Sequence, residues 1–327
     1  MFPSSALMVA LLCIPAAGQS TVVHLNQWRL PLRNGSSEDT ITSKGTLKHM
    51  QTLRLQDIAT NGSRFGGLSS IIVAPNGSGL LAISDRGAFE DMSLGSLTVD
   101  GEYNVTEGNI IPFGTGQGDA EGLTINGYYE GGGGGPTAGV DGLLLMLCEE
   151  PSNSSVPTTD PQGRIVLPGW AYNETSSNDL FHPTDMAELN GGDMMILFRR
   201  FVPTEGNGMR IGYVTKGELD QAMAVGGTLN PQIIAEVRTR DGYIIDNEEA
   251  LAIREDPTTG RTFVYTLSDN NYNEVRQKTL LSTYEWVAAA GTATPPPTTT
   301  AVPSLATSPT SYSLILFLTY IVPSTYY

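Results

Sequence analysis

A unit of two short strands recurs four times in this chain, and the repeat restricts the fold more than any other sequence feature. In each copy a small or acidic tripeptide leads into an apolar strand, a turn with Gly, Pro or Asn follows, and a second apolar strand ends in polar residues. This pattern is typical of a β-hairpin, so its repetition predicts an all-β domain. The copies span residues 65–87, 118–127 continued at 142–151, 182–201 and 247–271.

The spacing of the copies predicts a β-propeller of five or six blades. Copy starts lie about 55 to 65 residues apart, which leaves room for two more strands and long loops beyond a common blade of roughly 40 to 50 residues. Charged residues make up only 16% of the chain, and its 37 Gly and 20 Pro favour turns over long helices. A parallel α/β fold is the weaker alternative, because the helices of 10 to 15 residues that it needs are hard to find; GELDQAMAV at 217–225 is one short candidate.

The two ends of the chain differ in composition from the middle. Residues 1–18 contain an apolar stretch from Ala6 to Ile14 and end in small residues, as a secretory signal peptide does, so the predicted folded domain is 19–290. A Pro/Thr/Ser-rich stalk follows at 291–312. The hydrophobic tail at 313–327 is too short to span a bilayer and loosely fits a signal for a glycolipid (GPI) anchor. We therefore expect a secreted protein, with attachment to the cell surface through a lipid anchor as an open alternative.

One further feature follows from cleavage of the signal peptide, and another agrees with secretion. Cys13 would leave with the signal peptide, so the single remaining Cys148 predicts a fold without internal disulfides. Six N-x-Ser/Thr triplets predict a glycoprotein; they begin at Asn34, Asn61, Asn76, Asn104, Asn153 and Asn173.

The charge balance indicates which partners the domain can bind. With 34 acidic and 18 basic side chains the net charge is −16, which excludes a nucleic-acid-binding role. We expect a monomer that acts on a small anionic or ester substrate. Because a hairpin places the start of one strand beside the end of its partner, the acids of all copies should meet at one mouth of the propeller channel.

The residues at this mouth are oxygen ligands without a histidine or thiolate beside them, which suits calcium. The candidate metal ligands are Asp85, Asp119, Asp185, Asp269 and Asn271. The candidate catalytic residues are Arg86, Glu121, Glu249 and Arg199. Glu121 and Glu249 hold equivalent strand-start positions and are candidates for accepting a proton from water, whereas the arginines could bind developing negative charge.

Several motifs together resemble the esterase-like phytase family. They are GGLSS with SDRG, DAEGL, PTDMAEL with FRRF, and DNEEALAI with SDNNYNEVRQKTLL, and they cover about residues 65–285. The resemblance implies a β-propeller and suggests ester or phosphoester hydrolysis. The chain departs from the family pattern at three positions in the last block, where Ala250, Asn270 and Lys278 replace a Gly, an acid and an Arg.

Three functions remain open from the sequence. The first is a calcium-assisted phosphomonoesterase, for which the acidic mouth and its arginines are suited. The second is a calcium-dependent lactonase or carboxylesterase, which needs fewer arginines and a more apolar mouth. The third is a non-catalytic extracellular propeller that binds proteins or glycans. A Ser-His-Asp hydrolase assembled from distant residues is the least favoured, since no G-x-S-x-G motif is present.

Overall fold

The structure is a computed structural model that describes residues 21–43, 45–58, 65–84, 91–99, 105–115, 181–225 and 231–288. The described residues are mostly strands, joined by one α-helix and one turn of 3-10 helix at Thr239–Asp241. The helix α1, Lys216–Val225, coincides with the short helix predicted from the sequence. No helix in the described part of the chain is long and apolar enough to cross a membrane.

The strands are named in chain order. They are β1 (Thr21–Val23), β2 (Leu25–Leu30), β3 (Thr40–Ser43), β4 (Gly45–Asp57), β5 (Leu68–Val73), β6 (Gly79–Ser84), β7 (Asp91–Val99), β8 (Val105–Thr115), β9 (His182–Glu188), β10 (Met194–Val202), β11 (Gly206–Val214), β12 (Gln232–Arg238), β13 (Asn247–Glu255), β14 (Thr262–Asp269) and β15 (Thr279–Val287).

These strands form three antiparallel sheets. The first sheet has the order β1-β8-β7-β6-β5, the second β12-β11-β10-β9, and the third β13-β14-β15-β4-β2 with β3 beside β4. The predicted all-β class is confirmed, and three of the four predicted hairpins are β5–β6, β9–β10 and β13–β14. The remaining copy, 118–127 continued at 142–151, lies outside the described residues. None of the sheets closes on itself, and the number of blades stays a prediction.

The third sheet lies between the other two. Its strand β13 contacts β5 of the first sheet and β9 of the second, so the three hairpins meet along their first strands. One apolar core fills the space between the first and third sheets, and a second core fills the space between the second and third sheets. Strand β14 is buried along nearly its whole length because it has a core on each face.

The three hairpins share a bulge near the start of their first strand. In each, the pairing register slips by one residue and leaves an extra residue without a partner across the hairpin. These extra residues are Ser69, Thr184 and Glu249. A bulge bends the strand and redirects a side chain, so the repeat seen in the sequence extends to this irregularity of the backbone.

Candidate functional site

The bulge in β13 places Glu249 at the edge where the hairpins begin and end, which we call the rim. The strand starts at Asn247, which lies opposite Asp269 at the end of β14. In the neighbouring hairpin, His182 at the start of β9 lies opposite Arg199 near the end of β10. At the rim, the start of β13 therefore lies beside the end of β14, and the start of β9 lies beside the end of β10.

An ion pair joins the second and third sheets at the rim. Arg199 Nη1 lies 2.9 Å from Glu249 Oε1, and the two side chains are 25% and 11% exposed. Asn247 contacts both partners, because its Oδ1 accepts a hydrogen bond from Arg199 Nη1 and its Nδ2 donates to Glu249 Oε1 at 2.7 Å. A largely shielded guanidinium and carboxylate are therefore held in one fixed arrangement, with a small part of each side chain still exposed to solvent.

Asp269 lies beside this ion pair but is almost fully buried. Burial raises the pKa of its carboxyl to about 6, whereas backbone N–H donors and the charge of Arg199 lower it. One of these donors is the N–H of Asn271, 2.7 Å from Asp269 Oδ1. The carboxyl can therefore change its charge near neutral pH, close to Arg199.

A tight turn after β14 brings the chain against the start of β5. Asn271 and Tyr272 both have positive φ angles of 47° and 52°, and asparagine tolerates this conformation better than most residues. Asn270 Oδ1 supports the turn by accepting hydrogen bonds from the N–H of Tyr272 at 2.9 Å and of Gly67 at 3.3 Å. The Tyr272 hydroxyl in turn hydrogen-bonds to Ser84 at the end of β6.

Two further acids lie buried beneath the rim. Burial raises the pKa of Glu248 to about 7. Burial also raises the pKa of Asp246, although the charge of Lys278 and several hydrogen bonds lower it. The Asp246 carboxylate accepts hydrogen bonds from the N–H of Lys278 at 3.1 Å and from Asn207 Nδ2 at 3.3 Å, so it links the second sheet to the start of β15.

Asp185, a predicted calcium ligand, is used for hydrogen bonds between strands. Its Oδ2 accepts from the N–H of Leu251 in β13 at 2.8 Å and from the Ser70 hydroxyl in β5 at 3.2 Å. Its Oδ1 accepts from the N–H of Met186 at 2.8 Å. With both oxygens engaged in this way, the carboxylate joins the first strands of all three hairpins.

The remaining predicted residues divide into two groups. Asn271 is exposed and donates from Nδ2 to Gln277 Oε1 at 3.1 Å. The other predicted residues, Asp85, Arg86, Asp119 and Glu121, lie outside the described residues. Within the described ranges no group of three or more His, Cys, Asp or Glu side chains is arranged to hold a metal ion.

The sequence interpretation overlooked Asn247 as a site residue, although it holds Arg199 and Glu249 together. A signal for it was present, since the DNEEALAI block contains the acid-Asn-x-Glu pattern of the resembling family. Arg200, the neighbour of Arg199, is buried and forms an ion pair with a different residue, Glu205, at 2.8 Å.

Comparison with known families agrees with the motifs. The family model described as Phytase-like, esterase-like activity of phytase, matches residues 149–272, a segment that contains Arg199, Asn247, Glu249 and Asp269. No curated protein matches the chain. The match supports the family predicted from the motifs over residues 149–272, which is less than half of the chain.

Proposed function

We propose that the protein is an esterase-like hydrolase whose reaction takes place at the rim, beside Arg199 and Glu249. The observation that carries the proposal is the partly exposed ion pair between these two side chains, fixed by Asn247. The phytase-like family match supports the general class of reaction. A phosphomonoester or another ester is the proposed substrate, because a guanidinium binds the oxygens of either.

In the proposed reaction Glu249 accepts a proton from a water molecule, and the water oxygen forms a bond to the carbonyl carbon or phosphorus of the substrate. Arg199 donates hydrogen bonds to the substrate oxygen on which negative charge develops. The ester bond then breaks, and the proton held by Glu249 passes to the departing oxygen. Asn247 keeps the guanidinium and the carboxylate in position throughout, which lowers the entropic cost of the reaction.

The proposal also includes a calcium ion at the rim, secretion of the protein and a propeller architecture. We propose that calcium binds at the rim and that Asp85 and Asp119, which lie outside the described residues, are among its ligands. The extracellular location is proposed from the apolar residues 1–18 and from the N-x-Ser/Thr triplets; two of these asparagines, Asn34 and Asn76, are exposed. The meeting of three hairpins along their first strands supports a propeller.

The proposal is tested by assaying the full chain against phosphomonoesters, short acyl esters and lactones. We expect Glu249→Gln to lower turnover by roughly a hundredfold, because an amide does not accept the proton from water. Arg199→Lys should raise KM and lower kcat, because the fixed fork of the guanidinium is lost.

A matched control exists in the same sheet. Arg261 pairs with Glu285 at 2.6 Å at the other end of β14 and β15, so Glu285→Gln removes a similar ion pair away from the rim. This variant should keep the turnover of the wild type. Equal turnover in Glu249→Gln and Glu285→Gln, or no hydrolysis of any substrate by the wild type, would reject the proposed site.

A further inference from the structure

Strand β10 carries an exposed aromatic side chain beside the proposed hydrolase site. Phe201 is 64% exposed, whereas phenylalanine is one of the residue types most often buried. It is the second residue after Arg199, which pairs with Glu249 at the rim. A ligand that covers this ring while it contacts Arg199 would gain free energy, because the ring loses its contact with water.

The direction of the Phe201 side chain follows from the strand. Pairing between β10 and β11 is regular along its whole length, so alternate residues of β10 lie on the same face. Met195 and Leu197 lie on this face and are buried in the core between the second and third sheets. Arg199 and Phe201 continue the same row towards the end of the strand. The row therefore passes from a closed core to the opening of that core at the rim.

The neighbouring strand β11 agrees with this direction. Asn207 lies opposite Phe201 across the hairpin, and residues directly opposite each other have side chains on the same face. Asn207 Nδ2 donates to Asp246 Oδ1 at 3.3 Å, and Asp246 directly precedes Asn247, which holds the ion pair together. The face that carries Phe201 thus contacts the third sheet next to the ion pair.

The spacing between Arg199 and Phe201 limits which substrates can contact both. Two residues that follow each other on one face of a strand are about 7 Å apart. A substrate oxygen bound to the guanidinium therefore leaves the ring of Phe201 within reach of a group joined closely to the ester. A second aromatic ring suits this position, because aromatic rings attract each other in offset and edge-to-face arrangements. A methyl group in the same place leaves most of the Phe201 ring in water.

We propose that Phe201 binds the ring of an ester whose alcohol part carries an aromatic group close to the ester oxygen. This inference rests on the proposed function, because it assigns a substrate class to the same site. Arg199 binds the ester oxygens and Glu249 accepts the proton from water, as above. Phe201 takes part in no bond change and determines which alcohol group is preferred. Since its contact is the same before and during the reaction, it lowers KM and leaves kcat unchanged.

The first test measures binding to the full chain without hydrolysis. Benzylphosphonate and methylphosphonate carry the same charged group and no ester bond, so calorimetry compares only their organic groups. We expect the wild type to bind benzylphosphonate about tenfold more tightly than methylphosphonate, as one aromatic contact provides. This preference should fall to about twofold or less in Phe201→Ala. Phe201→Tyr should keep it, because the ring remains.

The second test measures hydrolysis of benzyl and methyl esters of the same acid. The two alcohols are leaving groups of similar basicity, so a difference in KM reports contact with the organic group. Phe201→Ala should raise KM for the benzyl ester about tenfold and leave KM for the methyl ester unchanged. The matched control is Trp28→Ala. Trp28 is also an exposed aromatic residue, but it lies on the outermost strand of the third sheet, so this variant should keep the preference of the wild type.

The binding measurement decides the proposal. Equal affinity of the wild type for the two phosphonates, or the same preference in the wild type and Phe201→Ala, would overturn it. If the preference is unchanged but Phe201→Ala alters the sedimentation of the protein, the ring belongs to a contact between proteins instead. If the wild type prefers benzylphosphonate through Phe201 but hydrolyses no ester, the binding role of Phe201 stands and the hydrolase is rejected. If both esters are hydrolysed and Phe201→Ala changes neither KM nor binding, the hydrolase stands and the role of Phe201 is rejected.

Discussion

Asp185 connects three strands through one carboxylate. An aspartate in a sequence is equally compatible with a calcium ligand and with a hydrogen-bond acceptor for backbone amides, and its neighbours PTDMAEL do not separate the two roles. The two roles can be distinguished only in the folded structure, because the donors Ser70 in β5 and Leu251 in β13 are distant from Asp185 in sequence. At the scale of one residue, the sequence therefore identifies Asp185 as an oxygen acceptor, but it does not identify the group that Asp185 binds.

We expect Asp185→Asn to destabilise the protein by about 1–3 kcal/mol, because an amide cannot accept all the hydrogen bonds that the carboxylate accepts from buried donors. Denaturant unfolding followed by intrinsic fluorescence measures this change. The loss should be the same in calcium and in chelator. A loss that appears only when calcium is present would instead identify Asp185 as a metal ligand.

At the scale of the element, the hairpins could be predicted from the sequence and their bulges could not. Alternating apolar residues bounded by turns specify β9–β10 and β13–β14 locally. The extra residues Thr184 and Glu249 have no such local signal, because a register slip depends on which pairing the sheet and its neighbours favour. For the same reason the pairing of Glu249 with Arg199 across two sheets was not predictable, although both residues were identified as candidates.

The turn after β14 also depends on a close approach that only glycine permits. A Cβ atom on Gly66 would lie 2.2 Å from Asn270 Oδ1, whose hydrogen bonds hold the turn. We expect Gly66→Ala to lower stability by about 1–3 kcal/mol through overpacking. Thermal unfolding measures the effect, and Gly191→Ala is the control, since no atom lies within 4 Å of its added Cβ. Similar melting temperatures for both variants would contradict the expectation.

At the scale of the whole molecule, stability should fall as pH rises from about 5 to 8. Glu248 and Asp269 have pKa values raised by burial to about 7 and about 6, so the folded protein binds more protons than the unfolded chain in this range. Their stabilisation is complete below the pKa of the unfolded chain and is lost as pH passes the folded values. Melting temperatures at constant ionic strength should therefore be several degrees higher at pH 5 than at pH 8.

The Glu248→Gln variant provides the control for this pH dependence, because its amide does not titrate. We expect the melting temperature of this variant to depend less on pH than that of the wild type. The pH dependence that remains is due to Asp269 and Asp246. A melting temperature that rises between pH 5 and 8 would show that other groups dominate the linkage.

A second whole-molecule prediction concerns calcium. If the proposed rim binds the ion through Asp85 or Asp119, calcium at a hundred times its Kd should stabilise the folded protein by about 2.7 kcal/mol, because it binds only that state. Melting curves in millimolar calcium and in chelator measure this shift, with magnesium as the comparison ion. Identical curves would remove calcium from the proposed function.

The third sheet joins strands from opposite ends of the domain, since β4 pairs with β15 and the bonded hydroxyls of Thr52 and Ser282 are 230 residues apart. A ribosome adds roughly 5 to 20 residues each second, so β4 waits about 10 to 50 s for its partner to be synthesised. During this interval its apolar face and unpaired backbone edge are available to other nascent chains. The order in which the strands are made therefore leaves β4 without its partner for longer than a strand whose partner follows directly in the chain.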